Sequence, residues 1–520
     1  MDGLYAGLDV STQSCKLVVI DLSLNSVVFV KVVTYDSDLP QYKTKNGVNQ
    51  NQPEGVSESD PQMWIEAVER VFSDLKDSDV PIDQIRCISV SGQQHGLVAI
   101  DEAGNLTRPV SKLWNDFSTL EECQILTDKV GGNEAMIREV GNTQRTGYTA
   151  AKIFHMVQHE PERYAKTKTL FLVHNYVNFY LTNGVRVMEP GDASGMALWH
   201  PGTGKWSKST MDTIAPDLAD KLPDIKPSDQ SIGSIASDLV KRFGFSPDCK
   251  IDAGSGDNMY GAIGTGNVEP GIVTISLGTS GTAYTMMESP FIDPKGEIAA
   301  FCDSTGHWLP LLCVSNLANG YNEILKLHNM SFDEFDDMVM ETPPGNQGKV
   351  LIPWYMGERT PDLPKASPVY FGFGLNDFTP INLCRAVLEG HILNMYDGFK
   401  EMPVEPKEIR LTGGISRSPV WCQTIADIFE AAAVPVKGEG AALGAALHAA
   451  WVWQKESGMD VSLKDLVDPF VVFDESCRKN PKPENIQAHK KQKQLFSALS
   501  ARIRGQKGED PFLLRADMLG

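Results

Sequence analysis

Between Ile251 and Gly281 the chain reads I-D-A-G-S-G-D-N-M-Y-G-A-I-G-T-G-N-V-E-P-G-I-V-T-I-S-L-G-T-S-G, and no other stretch narrows the choice of fold so far. One carboxylate, Asp257, stands in a glycine-rich turn that opens a short helix. Further on, Ile272–Leu277 has the length and β-branched content of a buried strand, and it runs directly into Gly278-Thr279-Ser280-Gly281. α/β sheets place their chemistry at such strand ends. The residue types suggest a base facing a phosphate, because backbone N–H groups and hydroxyls hold anionic oxygens while a carboxylate accepts a proton.

The chain begins with the same device. Residues 4–9 form an apolar strand ending in Asp9, Val10-Ser11-Thr12-Gln13-Ser14 is a polar turn, and 16–21 return as a second strand. Residues 272–277, 278–281 and 282–286 repeat that order, which reads as an internal duplication. A triphosphate with its metal needs donors from two directions, and two such hairpins supply them. Asp9 and Asp257 are the carboxylates suited to positioning Mg2+, usually through water. The structural alternative for Asp257 is a helix N-cap, and local sequence does not separate the two roles.

Polar groups gather at other strand ends. Strand 85–91 ends in Gly92-Gln93-Gln94-His95-Gly96, and a short strand is expected at Leu113-Trp114-Asn115-Asp116. Amides, an imidazole and a carboxylate suit a polyol. The alternatives are a satisfied core histidine at His95 and plain packing at Trp114. Residues 34–60 read as a polar loop with room for short strands, and Asp60-Pro61 opens a helix, with Asp60 as its cap.

Helix 149–159 carries His155 and His159 at i and i+4, yet no companion carboxylate or cysteine stands at ligand spacing, so zinc is not expected there. Strand 408–411 delivers Thr412-Gly413-Gly414, a helix follows over 419–433, and 438–453 is a glycine-led helix. Gly438-x-Gly440-x-x-x-Gly444 imitates a dinucleotide fingerprint without a βαβαβ unit after it, so close helix packing explains the glycines better. Gly202-Thr203-Gly204-Lys205 lacks the first glycine of a P-loop. Residues 481–520 are polar, with a helix over 486–503 and a frayed end.

Composition narrows the partners. The 520 residues carry a formal charge of −20, which argues against nucleic acid and anionic membranes while leaving room for a small anion held by backbone N–H groups. The nine cysteines are scattered with no C-x-x-C, so neither a disulfide framework nor a zinc ribbon is expected. Residues 1–5 lack a basic leader, and the longest apolar helical stretch, 441–453, is too short for a bilayer. The expected location is the cytoplasm.

In their order and spacing, the motifs around Asp9, Ser91-Gly92-Gln93-Gln94-His95-Gly96, Trp114-Asn115-Asp116, Thr146-Gly147-Tyr148-Thr149-Ala150-Ala151-Lys152, Gly254-Ser255-Gly256-Asp257-Asn258, Ser276 to Gly281, Thr412 to Ser418 and Glu439 to Gly444 resemble the FGGY carbohydrate kinases. The resemblance implies an α/β protein of two ribonuclease-H-like domains of the actin/Hsp70/sugar-kinase type, with an interdomain catalytic cleft. The expected division is 1–248, the sugar side, 249–480, the nucleotide side, and a C-terminal helix and tail over 481–520. ATP with Mg2+ and a small sugar are the implied ligands, and a homodimer is a family-level expectation.

By match, Asp257 would be the general base. Asp9, Thr12 and Gln13 would lie near the metal and γ-phosphate, and Gly278, Thr279, Ser280 and Gly281 would hold phosphates. Gly413, Gly414 and Ser418 would lie on the adenosine side; many members carry Asn where this chain has Ser418. Gln94, His95, Asp116, Arg145, Asp257 and Asn258 would surround the sugar. The branch that these motifs match acts on the 5-hydroxyl of D-xylulose, although many bacterial members carry Met-His where this chain has Gln94-His95. Kinases for ribulose, gluconate or glycerol are the near alternatives. A non-catalytic actin-like nucleotide switch and a nicotinamide enzyme built on residues 438–444 are the distant ones.

Overall fold

Strand β1 (Leu4–Val10) is apolar along nearly its whole length because it is covered on both faces. It pairs antiparallel with β2 (Ser14–Asp21), which pairs antiparallel with β3 (Ser26–Thr34). On its other side β1 runs parallel to β4 (Ile85–Gly92). Beyond β4 lie β5 (Ser231–Ser234) and β6 (Lys250–Asp252), in the order β5-β6-β4-β1-β2-β3, and β7 (Ser255–Gly256) also pairs with β4. The computed structural model describes residues 3–519.

Helix α1 (Pro61–Lys76) covers β2 and β3. Asp60 caps it by accepting from the Gln62 N–H at 2.9 Å, Pro61 occupies the first turn, and Trp64, Ile65, Val68, Val71 and Phe72 are buried. The helix Ala441–Glu456 lies across β1 and β4. It approaches so closely that a Cβ on Gly7 would stand 2.0 Å from the Ala442 carbonyl oxygen. Helices α2 (Leu120–Val130) and α3 (Thr149–His159) pack together in a separate apolar cluster with Leu126, Ile153 and Met156.

The order repeats in a second sheet. Strand β8 (Ile272–Leu277) pairs antiparallel with β9 (Gly281–Thr285), and β9 with β10 (Leu311–Val314). On its other side β8 runs parallel to β11 (Glu408–Thr412), which runs parallel to β12 (Ala432–Lys437). Strand β13 (Val472–Phe473) closes the order β10-β9-β8-β11-β12-β13. Both sheets therefore begin as a three-strand antiparallel meander whose first strand has a parallel neighbour, the ribonuclease-H-like pattern that the resemblance implies. The duplication read from the paired hairpins is present in the topology.

The chain forms two compact units, neither of them continuous. The first holds the residues up to Val268, with Met287–Leu309 and Gly438–Val471; the second holds Glu269–Met286, Pro310–Lys437 and the residues from Val472 onward. These limits differ from the division after residues 248 and 480. The first limit moves because of β6, whose Lys250 and Ile251 pair with Cys87 and Ile88 of β4 and so belong to the first sheet.

Local departures have local causes. Residues 113–116 are not a strand: pairing ends at Lys112 and the chain turns through Trp114 and Asn115. Helix Pro419–Phe429 stops short of 433, because Glu430 adopts φ +56° and the next residues pair with β11. The C-terminal end is not frayed. Residues Pro511–Leu519 form a helix, and Arg515 donates to the Gly348 and Gly372 carbonyls at 3.2 and 2.8 Å. Residues 34–60 hold a tight hairpin, Thr44–Lys45 against Val48–Asn49, across Asn46 and Gly47. Among the described residues, no helix is long and apolar enough to cross a membrane.

Candidate active site

Register brings the site of the first unit together. Asp9 pairs with Ser91 and Val10 with Gly92, while Ser255 and Gly256 pair with those same two residues from the other side. The ends of β1, β4 and β7 are thus aligned, and the turns leaving them begin side by side.

Asp257 is the first residue of helix α4 (Asp257–Gly264), and Gly256 holds the cap position. The N-cap alternative is thereby excluded, and the Asp257 carboxylate accepts from Asn258 Nδ2 at 3.1 Å. Burial, with the charges of Asp9 and Asp192 added, pushes its pKa up to about 8. Asp9 accepts from the Ser91 hydroxyl at 2.9 Å. Burial pushes its pKa up to about 6, against the opposing pull of that hydroxyl and of Lys16. Two carboxylates that are costly to ionise together fit a site that takes up a cation.

Asn258 Nδ2 also donates to Gln94 Oε1 at 2.8 Å, linking Gln94 to the Asp257 carboxylate. The Gln94 amide nitrogen is buried with no acceptor, an orphan that a polar ligand can relieve. His95 takes φ +66°, strained for a residue with a side chain. Lys152 Nζ holds it there by donating to the His95 and Gly147 carbonyls at 2.7 and 2.6 Å. The His95 ring lies 4.9 Å from Tyr148 and 5.9 Å from Phe301. Thr12 Oγ1 accepts from the Trp114 indole at 2.9 Å and donates to Gln93 Oε1 at 3.2 Å. Trp114 therefore ties its loop to the β1–β2 turn. Gln13 is exposed in that turn, and its carbonyl accepts from the Tyr35 N–H at 3.0 Å.

Two residues expected at the sugar also hold their own surroundings. Each Asp116 oxygen already receives two donors: Ser57 N–H and Lys112 Nζ on one, the Ser118 N–H and hydroxyl on the other. Asp116 thus holds its own loop in place. Arg145 donates to the Thr143 hydroxyl at 3.2 Å and to the Gly296 carbonyl at 2.6 Å, which anchors it to the segment 287–309.

Sequence reasoning missed several supporting residues. A Cβ on Gly47 would come within 1.8 Å of the Thr12 carbonyl oxygen, so Gly47 seats the β1–β2 turn; the Asn46-Gly47 hairpin signal marked it. Beneath α4, His448 Nδ1 lies 2.8 Å from Asp252 and 3.2 Å from the Tyr260 hydroxyl, which accepts from Ser89 at 2.7 Å. Glu189 accepts from Ser255 at 3.0 Å and Ser228 at 2.7 Å, and His174 pairs with Asp192 at 2.9 Å. These partners are far apart in the chain and have no local signature.

In the second unit, Gly278, Thr279 and Ser280 form the turn after β8, with Thr279 exposed. The Gly278 and Thr279 carbonyls accept from Ala318 and Leu317 N–H at 3.1 Å, which fixes the loop. Gly281 begins β9, where a Cβ would meet Met395 at 2.6 Å. Gly413 has φ +91° and faces the Leu277 carbonyl, so the turn after β11 rests on the end of β8. A Cβ on Gly414 would meet nothing within 4 Å, which leaves an open backbone surface.

Ser418 caps helix Pro419–Phe429 and donates to Asp336 at 2.9 Å. Ser418→Ala is therefore expected to cost about 1 kcal/mol of stability through the lost cap, read as a lower denaturant midpoint, with nucleotide affinity little changed. A large loss of affinity at unchanged stability would assign Ser418 to the ligand instead.

The FGGY family model for the N-terminal domain of carbohydrate kinases matches residues 4–264, and that for the C-terminal domain matches 273–453. The chain is 34% identical over 491 residues to the xylulose kinase of Haemophilus influenzae, covering 92% of this chain and 95% of that protein. It is 29% identical to the xylulose kinase of Mus musculus over 82% of this chain and 81% of that protein. Among solved structures, the xylulose kinase of Rhodospirillum rubrum matches with a TM-score of 0.85 at 23% identity, over 96% of this chain and 99% of that one. The gluconate kinase of Lactobacillus acidophilus matches with a TM-score of 0.83 at 23% identity, over 96% and 97% of the two chains. At that identity the structural matches speak for the fold. The family models span nearly all of both sheets, and the chain belongs to the FGGY family of carbohydrate kinases, which makes it a sugar phosphotransferase.

Proposed function

We propose that this enzyme transfers the γ-phosphoryl group of ATP to the 5-hydroxyl of D-xylulose, with Asp257 as general base. The observation that carries the reading is the Asp257 carboxylate. It is committed to no cap, has a raised pKa, and is joined through Asn258 to the buried Gln94 amide. Its relatives in Haemophilus influenzae and Mus musculus, both named xylulose kinases, favour the sugar.

Asp257 takes the hydroxyl proton as that oxygen bonds to the γ-phosphorus and the bond to ADP breaks. With a pKa pushed up to about 8, Asp257 is a stronger base than an ordinary carboxylate, and a cation beside it would favour the ionised form that accepts the proton. Gln94 and Asn258 offer amide groups that orient the sugar, and Lys152 keeps the His95 turn in its strained shape. Bound Mg2+ would screen Asp9, Asp257 and the phosphate oxygens from one another. The open backbone at Gly414 and the turn 278–281 suit the nucleotide and its phosphates.

Sugars differing in one hydroxyl are separated by single hydrogen bonds, so the stereochemistry rests on the relatives and on assay. The test is ADP release with Mg-ATP against D-xylulose, L-xylulose, D-ribulose, L-ribulose, gluconate and glycerol. Selective turnover of D-xylulose is expected. Preference for another sugar would keep the kinase and overturn the substrate. Nucleotide binding without turnover on any of them would count against the reading.

A further inference from the structure

The outer end of α3 carries two histidines for which phosphoryl transfer has no use. His155 and His159 lie one helical turn apart with ring centroids 4.4 Å from each other. Glu122, in the first turn of α2, reaches both of them. Its Oε1 lies 2.7 Å from His155 Nδ1 and 3.3 Å from His159 Nε2. One ligand atom from each residue falls within a 4.8 Å set. The companion carboxylate that no local spacing offers beside the histidines thus comes from the neighbouring helix.

We propose that Glu122, His155 and His159 form a three-ligand zinc site that joins α2 to α3. A hydrogen bond from His155 to Glu122 explains one histidine. It does not explain why a second imidazole, its side chain 58% exposed, turns its nitrogen toward the same carboxylate oxygen instead of toward water. At zinc–ligand lengths of about 2.0–2.2 Å, tetrahedral neighbours stand roughly 3.3 Å apart. The distances of 2.7 and 3.3 Å need only a slight opening to admit the ion. Two imidazoles and one carboxylate suit zinc, whereas Mg2+ and Ca2+ favour oxygen ligands alone.

The side chain of Glu122 is 4% exposed and that of His155 23%, so two ligands are held by the packing while exposed His159 closes the set beside water. A solvent molecule completes the fourth position. The first turns of α3 carry Thr149 and Lys152, which hold the His95 carbonyl. Zinc at the far end of the helix therefore steadies an element that shapes the candidate active site.

The test uses the full chain stripped of metal and titrated with Co2+ as a spectroscopic stand-in, followed by Zn2+. One equivalent of Co2+ is expected to give the intense visible bands of a four-coordinate nitrogen and oxygen site, without thiolate charge transfer. One equivalent of Zn2+ should abolish them. Zn2+ should raise the melting temperature where Mg2+ at the same concentration does not. His159→Ala alters an exposed side chain and leaves folding intact, and it should weaken Zn2+ binding by at least ~10-fold, as should the shape-preserving Glu122→Gln. A weak octahedral Co2+ spectrum, thiolate bands, or equal Zn2+ affinity in wild type and His159→Ala would each overturn the site.

Discussion

Replacing Asp257 with Asn is expected to lower sugar-dependent ADP production by about a thousandfold while leaving a folded protein that binds ATP. The substitution is nearly isosteric, and the amide oxygen still accepts from Asn258, but it cannot take up a proton at any working pH. It also removes a buried carboxyl whose ionisation is opposed by desolvation and by Asp9 and Asp192, so the melting temperature should hold, and rise where the pH exceeds about 8. That combination distinguishes a chemical role from a structural one: a cap or a packing residue would lose stability along with activity. Steady-state rates, nucleotide titration and thermal melting on one preparation provide the three readouts. Turnover near the wild-type rate would remove Asp257 from the role of base.

Gly444→Ala is expected to be the most damaging small substitution in the first unit. A Cβ there would stand 1.9 Å from the Tyr260 carbonyl oxygen and 2.9 Å from the Gly264 backbone nitrogen. Gly264 is the mirror case, its own Cβ direction ending 2.2 Å from the Gly440 carbonyl oxygen. Neither backbone can move aside unless the two helices part. The cost should reach about 3 kcal/mol or more, at the upper end for overpacking. Because α4 begins with Asp257, turnover should fall as well, along with the denaturant midpoint. A variant with an unchanged midpoint would show that the two helices have room for the added methyl group.

The same glycine illustrates what was legible in the sequence. Helix contact explains Gly444, as the absence of a following βαβαβ unit implied, whereas Gly440 has φ +62° and a Cβ there would meet nothing within 4 Å. The carboxylate on its turn and the two hairpins were legible because strand, turn and helix signals are local. Aligned strand ends then follow from parallel pairing. The type and position of Asp116 suit a ligand, and only the fold shows the four protein donors that also converge on it. Lys152, His448 and Glu122 share the opposite problem. Each gains its meaning from a partner on another element, and single-sequence spacing carries no trace of that. The strand placed at 113–116 failed for a related reason, since a short apolar start does not guarantee a partner for pairing.

The discontinuity of the two units bears on how the molecule is made. The chain passes between them five times before its end. Strand β1 leaves the ribosome long before the helix Ala441–Glu456 that covers it. One face of β1 must therefore wait without that cover while the intervening residues are made, a span in which apolar surface attracts chaperones and other nascent chains. A fragment cut after Val268, although it holds every strand of the first sheet, would lack that cover permanently.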